Sequence, residues 1–216
     1  VSDEVGTEEQ DFNIRRLGLW LQYNLKSAIS KTEWRELQTE ELPTLTGDLF
    51  AGVKFGRDGK NVALSVAVKT TDGVIFVETI DCRNVRDGVA WLIDWLGAMH
   101  PKKIVIDGAS GQGILSEALK DARIKGETIP TVGQIITANA KFEQALFSKT
   151  ICHMEQPSVE QIVSNCDKRA IGSGGGFGYM ALRDGMEIAI LDSIILAHWA
   201  CAEDKGKPTT RQKVGY

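Results

Sequence analysis

Three short apolar runs separated by two tight turns constrain the fold of this chain more than any other feature. The runs are LFAGVKF (49–55), VALSVAV (62–68) and VIFVETI (74–80), and the turns between them are RDGK (57–60) and TDG (71–73). Asp-Gly pairs are typical of the short connections in β-hairpins. The sequence therefore predicts an antiparallel meander of three strands.

Helices and one inner strand are expected after the meander. The span 85–98 places apolar residues on one helical face, and KKIVIDG (102–108) has the apolar character of a strand at the centre of a sheet. Further segments are predicted as helices at 114–124, 135–149, 158–169 and 187–202, with a flexible glycine loop at 172–178. The order of elements is that of the ribonuclease H topology. We therefore predict an α/β fold, a ribonuclease H-like mixed β-sheet flanked by helices on both faces.

Net charge and cysteine content limit the classes of protein to which this chain can belong. The 216 residues carry a formal net charge of −4, and residues 1–50 hold five Lys/Arg against ten Asp/Glu. The remainder is close to neutral, which permits DNA contact without requiring it. No apolar run approaches the roughly 20 residues that cross a bilayer, so we expect no membrane partner. Four widely spaced cysteines are typical of reduced thiols in a cytosolic protein.

The chain divides into three predicted segments. Residues 1–47 form an acidic arm or linker, residues 48–204 the α/β domain, and residues 205–216 a basic, flexible tail. The N-terminus has neither an initiator Met nor the pattern of a secretory signal. We therefore expect a fragment of a longer chain.

Two aspartates are the first candidates for a functional site. Asp107 ends an apolar strand, where ligands bind in open α/β sheets, although an Asp that caps the next turn explains the same position. Asp192 lies in the apolar helix AILDSIILAHWA, where a lone carboxylate must face a partner, solvent or a metal. Asp58 has the expected role of a turn residue, and Glu78 points either to solvent or to the same site.

Two other patterns favour different chemistry. GASGQG (108–113) follows a strand and opens a helix, as phosphate-binding turns do, and is the basis for an alternative small-molecule enzyme that binds a nucleotide. A tight strand-to-helix connection explains the same glycines. Cys152, His153 and Cys166 lack the spacing and the fourth ligand of a zinc site, so we expect reduced thiols at the two cysteines and structural roles for His153 and His198.

Taken in order, the motifs resemble the C-terminal nuclease domain of a tailed-phage terminase large subunit. The resemblance runs from about residue 12 to 202 and is carried by FNIRRLGLW, KTEWREL, LFAGVKFG, NVALSVAV, IVIDG, a series of His153, Pro157 and Asn165, and AILDSIILAHWA. It implies a metal-dependent endonuclease that cuts double-stranded concatemeric phage DNA during packaging. It also implies Mg²⁺ or Mn²⁺ as cofactor, with Asp107 and Asp192 as the second and third catalytic acids.

The sequence departs from the family at the first catalytic acid. The aligned residue in the first strand is Lys54, and a further acid of the family aligns with Lys60. One hypothesis is that Asp58, which lies between them, joins Asp107 and Asp192 in the metal site. The alternatives are a site with one ion and a weak or inactive nuclease. In a separate hypothesis, Lys54 itself contacts the scissile phosphate as a point charge.

Partners follow from the resemblance alone. They are double-stranded DNA, an ATPase domain of the same full-length chain, a small terminase subunit and the phage portal, in the cytoplasm of the bacterial host. Few basic residues cluster, so we expect weak, salt-sensitive DNA binding. The candidate phosphate contacts are Lys54, Arg57, Lys60, Lys168, Arg169 and the tail KGKPTTRQK. The alternative function is a DNA-gripping or docking module whose catalysis is vestigial because Lys54 replaces the expected acid.

Overall fold

The computed structural model describes residues 27–183 and 185–205. The predictions for the first part of the arm, including FNIRRLGLW, and for the tail from residue 206 onward lie outside the described residues. No helix within the described ranges is long and apolar enough to span a bilayer.

The described residues form eight strands and six α-helices. The strands are β1 (Leu45–Phe55), β2 (Asn61–Thr70), β3 (Ile75–Asn84), β4 (Lys103–Asp107), β5 (Glu127–Thr128), β6 (Ile151–Cys152), β7 (Cys166–Ile171) and β8 (Gly176–Ala181). The helices are α1 (Lys31–Arg35), α2 (Ala90–Met99), α3 (Gln112–Asp121), α4 (Val132–Phe147), α5 (Pro157–Val163) and α6 (Ala189–Glu203).

Six strands form one mixed sheet in the order β5-β4-β1-β2-β3-β6. Strands β1, β2 and β3 form the predicted antiparallel meander, and β4 pairs in parallel with β1. Strands β5 and β6 extend the two edges, each in parallel with its neighbour. The predicted mixed β-sheet of an α/β fold is thereby confirmed. Strands β7 and β8 form a separate antiparallel hairpin.

Helices cover both faces of the sheet, as predicted. Successive residues of a strand point to opposite faces. In β1, three residues pack into the core that contains α2 and α3: Ala51, Val53 and Phe55. Phe50 and Val105 instead pack into the core that contains α4, α5 and α6. The same alternation places Lys54 of β1 and Asp107 of β4 on the face that α6 covers.

The predicted helix over 158–169 is wrong in its second half. Helix α5 ends at Val163, and β7 begins at Cys166. All six residues of β7 pair with β8, so the hairpin satisfies the backbone groups that a longer helix would have satisfied. Gly172 and Gly175 adopt positive φ angles in the connecting turn. The predicted glycine loop is therefore partly strand, because residues 176–178 belong to β8.

The described part of the arm packs onto the domain. Trp34 of α1 is 2% exposed and stacks on His153, with the ring centroids 4.1 Å apart. His153 Nε2 also lies 2.9 Å from the Trp34 carbonyl oxygen, and Ser27 Oγ donates to the Cys166 carbonyl at 2.9 Å. His153 thus has a structural role in holding this segment, as the sequence predicts, and the backbone of Cys166 contributes to the same attachment.

Candidate functional site

Lys54 and Asp107 meet at the C-terminal ends of two adjacent parallel strands. They are register partners between β1 and β4. The Lys54 ammonium donates a hydrogen bond to Asp107 Oδ2, and the two groups form an ion pair. The strand pairing therefore brings the lysine directly to the first predicted catalytic acid.

Asp192 reaches the same lysine from the first turn of α6. Its Oδ2 lies 3.7 Å from Lys54 Nζ. Helix α6 approaches β1 closely because Gly52 has no side chain: a Cβ added there would lie 2.2 Å from the Ser193 carbonyl oxygen. The carboxylate in this apolar helix thus faces a partner, and that partner is Lys54.

The three charged side chains are largely shielded from solvent. Their exposed fractions are 10% for Lys54, 20% for Asp107 and 13% for Asp192. Burial raises the pKa of the Asp192 carboxyl above its ordinary value, and the nearby Lys54 ammonium opposes that rise. Shielded charges of opposite sign stabilise one another, so removal of either sign leaves the other uncompensated.

A cavity of about 110 Å³ opens beside these three residues. Two further polar residues line it, Arg169 of β7 and Asn139 of α4, and the rest of the wall is mainly apolar. Arg169 Nε donates to the Tyr179 carbonyl at 3.1 Å, which holds the side chain in place. The cavity thus combines two carboxylates, an ammonium and a guanidinium.

Asn139 is a candidate site residue that the sequence reasoning missed. It is 3% exposed, and its Nδ2 donates to the Ile135 carbonyl at 2.8 Å. Its Oδ1 is buried with no hydrogen-bond partner among the described residues. Asn139 lies on the same buried face of α4 as Phe142 and Leu146. A polar residue at a position where the helical repeat predicts an apolar one is the sequence signal that could have identified it.

Asp58 lies apart from this group. It sits in the turn after β1, where its carboxylate accepts from the Lys60 backbone N–H at 3.0 Å and lies 3.3 Å from Lys60 Nζ. It is exposed and does not line the cavity. The structure therefore brings together Asp107 and Asp192 but leaves Asp58, and likewise Glu78 of β3, outside the cavity wall.

The remaining basic candidates lie on two surface elements. Arg57 is exposed in the turn after β1, next to the ion pair of Lys60. Lys168 neighbours Arg169 on β7, pairs with Glu143 and lies over the Phe177 ring at 4.4 Å. Of the five predicted DNA contacts, Lys54 and Arg169 line the cavity.

The donor set fits one hard cation rather than two. Centres with two divalent ions need several converging carboxylates, whereas Asp107 and Asp192 are the only carboxylates within the described ranges that line this cavity. Among the residues described, no group of three His, Cys, Asp or Glu side chains is placed to hold a metal ion. Asn139 Oδ1 adds a neutral oxygen of the kind that Mg²⁺ accepts. The cation that lies between the two carboxylates is the Lys54 ammonium.

Comparison with known proteins identifies relatives in fold. No protein-family model and no curated protein matches the chain. Among solved structures, the HK97 bacteriophage large terminase has a TM-score of 0.58 and 15% identity over 79% of this chain. This chain spans 43% of the length of that protein.

Two nuclease domains match over nearly their whole length. The large terminase nuclease from thermophilic phage G20c, with bound magnesium, has a TM-score of 0.54 and 18% identity over 82% of this chain and 97% of its own. A mutant nuclease domain of the large terminase subunit of bacterial virus Sf6, with manganese and beta-thujaplicinol, has a TM-score of 0.52 and 12% identity over 83% of this chain and 100% of its own. At these identities the likeness shows the fold, and it confirms the resemblance to terminase nuclease domains predicted from the motifs.

Proposed function

We propose that this chain is the nuclease domain of a phage terminase large subunit and that it acts on double-stranded DNA. The observation that supports this most is the convergence of Asp107 and Asp192 on one cavity, in a fold like that of terminase nuclease domains. The cavity lies at the C-terminal ends of β1 and β4, where α/β sheets bind their ligands.

The proposed reaction is hydrolysis of phosphodiester bonds in concatemeric phage DNA during packaging. Support for a divalent ion comes from the G20c and Sf6 nuclease structures, which hold magnesium, cobalt or manganese. Asp107 and Asp192 are the residues that would hold Mg²⁺ or Mn²⁺ here. When bound, such an ion supplies a Lewis acid next to the scissile phosphate. Asp58 joins this set only if the turn at 57–60 moves.

The chain's own cations are proposed to orient the DNA backbone. Arg169 lines the cavity, and a guanidinium donates two parallel hydrogen bonds to a phosphate. Lys168 on the same strand, together with Arg57 and Lys60 on the turn after β1, would extend this surface. Lys168 and Lys60 are paired with carboxylates, so DNA must compete with those pairs. The proposed affinity is accordingly low and sensitive to salt.

A DNA-gripping or docking module with weak catalysis is the second candidate. The ion pair of Lys54 with Asp107 and its contact with Asp192 favour it, because both proposed catalytic acids are already engaged. The wider assembly is proposed from the same likeness. It comprises an ATPase domain of the full-length chain, a small terminase subunit and the portal, in the bacterial cytoplasm.

Digestion of supercoiled plasmid tests the endonuclease proposal. Wild type, Asp107→Asn and Asp192→Asn are compared with Mn²⁺, Mg²⁺ or EDTA. Asp121→Asn, an exposed acid at the end of α3, is the matched control. We expect metal-dependent nicking that both site variants lose and the control keeps. DNA binding without cutting under every condition would replace the endonuclease with the gripping module, and cutting retained in both site variants would show that the site lies elsewhere.

A further inference from the structure

We infer that Lys54 is a built-in cation of the proposed site, which competes with divalent ions for Asp107 and Asp192 and so sets the metal affinity of the centre. The inference rests on the proposed function, since it concerns the same two carboxylates. It adds a role for a residue that replaces an acid in the family pattern.

The backbone fixes Lys54 between the two acids. Lys54 and Asp107 are register partners on β1 and β4, and β1 is paired on its other side with β2, where Lys54 lies opposite Ala63. Both flanking pairings must persist for the sheet to persist, so the Cα of Lys54 has one position. Asp192 is held against it by the close packing of α6 on Gly52. The ammonium therefore lies where the two carboxylates converge.

Because Lys54 is buried, its ammonium and a divalent ion cannot both be bound by these two carboxylates. With the Lys54 side chain 10% exposed, its charge cannot be hydrated as a surface lysine would be, and the two carboxylates provide the compensation instead. A divalent ion bound by the same oxygens would place a second positive charge within a few ångströms of the ammonium. In a partly dry cavity of about 110 Å³ that repulsion is strong, so lysine and ion exclude one another.

The charge balance leads to the same conclusion. Two carboxylates, the Lys54 ammonium and the Arg169 guanidinium sum to no formal charge around the cavity. Hard divalent ions are held chiefly by anionic oxygens in excess of neighbouring cations. Asn139 Oδ1, buried and without a partner among the described residues, adds a donor but no charge. Affinity for Mn²⁺ should thus be low until the lysine charge is removed.

Manganese binding to the full chain, followed by calorimetry and by the spin-resonance signal of free Mn²⁺, tests the inference without any need for DNA cleavage. The proteins are wild type, Lys54→Met and Lys54→Met/Asp107→Asn, with Lys120→Met as the matched control on the exposed end of α3. We expect Lys54→Met to bind Mn²⁺ at least tenfold more tightly than wild type. The double variant should lose this gain, and Lys120→Met should match wild type.

Two results would overturn the inference. One is tight binding of Mn²⁺ by wild type that Asp107→Asn abolishes, because a lysine that excludes the ion from these carboxylates does not allow it. The other is a folded Lys54→Met protein with unchanged Mn²⁺ affinity, which would leave Lys54 with a structural role between the strands and no role in metal affinity. The first result needs only wild type and Asp107→Asn, so it stands even if Lys54→Met does not fold. A wild type that cuts DNA and binds Mn²⁺ tightly would refute this role of Lys54 and leave the proposed nuclease intact.

Discussion

Lys54 of β1 and Asp107 of β4 are register partners across a parallel strand pair, and their side chains form an ion pair on the face of the sheet that α6 covers. Asp192 of α6 lies 3.7 Å from the same ammonium. One lysine therefore links the charges of three separate elements. Because Lys54 contributes both to the proposed site and to the stability of the sheet, its role can be measured by unfolding experiments as well as by assays of activity.

Replacing Lys54 with Met should destabilise the fold. The substitution keeps the apolar stem but leaves two shielded carboxylates without a counter-charge. Loss of one partner of a fully buried pair costs about 3–5 kcal/mol, and the partial exposure of these carboxylates lowers the expected cost to roughly 2–4 kcal/mol. Urea unfolding at neutral pH measures the change. Lys54→Met/Asp192→Asn should recover part of the loss, and Lys120→Met should stay within about 0.5 kcal/mol of wild type. Equal stability of Lys54→Met and wild type would contradict a stabilising role for this ion pair.

Gly52→Ala should separate α6 from β1. The added Cβ would lie 2.2 Å from the Ser193 carbonyl oxygen and 2.6 Å from the Ala197 nitrogen, both backbone atoms that cannot rotate away. Overpacking of this kind costs about 1–3 kcal/mol. Thermal unfolding should show the loss, and DNA cutting, where present, should fall as Asp192 moves away from Lys54.

A second glycine provides the control for that variant. Gly113 lies in α3, and a Cβ there meets nothing within 4 Å. Gly113→Ala should therefore be neutral or stabilising, by up to about 1 kcal/mol. If Gly52→Ala proves as stable as Gly113→Ala, the close approach of α6 to the sheet is not required.

Local patterns were enough to predict the part of the fold that positions the site. Short apolar runs and the Asp-Gly turns between them encode the meander within about 30 residues, and the apolar run before Asp107 encodes β4. Asp107 and Asp192 were identifiable because each carboxylate stands against an apolar background. The structure brings these two together as expected.

The rest depends on contacts between distant residues. The first four residues of β7 were predicted as helix because the pairing of β7 with β8 forms across a turn, and the pattern of one segment alone does not reveal its strand partner. Lys54 was recognised as a departure from the family, but its pairing with both acids required the register of β1 against β4. Asp58, which one hypothesis placed in the metal site, instead engages Lys60 in the local turn, the role that its Asp-Gly pair also predicted.

Stability should fall as the pH is lowered from about 6.5 to 4, because of His198. Burial lowers the pKa of His198 in the folded chain to about 4, whereas the unfolded side chain titrates near 6.5. The unfolded state therefore binds the proton first, and the contribution to stability that is complete above pH 6.5 is lost toward pH 4. The expected decrease is about 2–3 kcal/mol.

Urea unfolding between pH 7 and 4 measures this slope. His198→Met keeps the packing against Phe142 but cannot titrate. The free energy of unfolding of this variant should therefore decrease much less than that of wild type over this pH range. His100→Asn, at an exposed residue with a positive φ angle that Asn tolerates, should keep it. The same slope in wild type and His198→Met would assign the pH dependence to other groups.

Trp34 should determine whether the described arm stays attached to the domain. Its ring is 2% exposed and stacked on His153, and the surrounding backbone is held by Thr39 N–H donating to the His153 carbonyl and by Ala28 N–H donating to the Cys166 carbonyl. Removing a buried Trp side chain costs about 3–5 kcal/mol. In Trp34→Ala we therefore expect local opening of residues 27–38 rather than loss of the sheet.

Amide hydrogen exchange distinguishes local opening from global unfolding. The Ala28 and Thr39 amides should exchange roughly 100-fold faster or more in Trp34→Ala, while amides of β1 and β4 keep their wild-type rates. Arg35→Ala is the matched control on the same helix, since it removes only an exposed ion pair with Glu160, and exposed ion pairs contribute little to stability. Equal acceleration in arm and sheet would show that the arm is an integral part of the core. Because Ala28 contacts the first residue of β7, faster exchange confined to the arm and β7 would also show that the strand carrying Arg169 is stabilised through the arm.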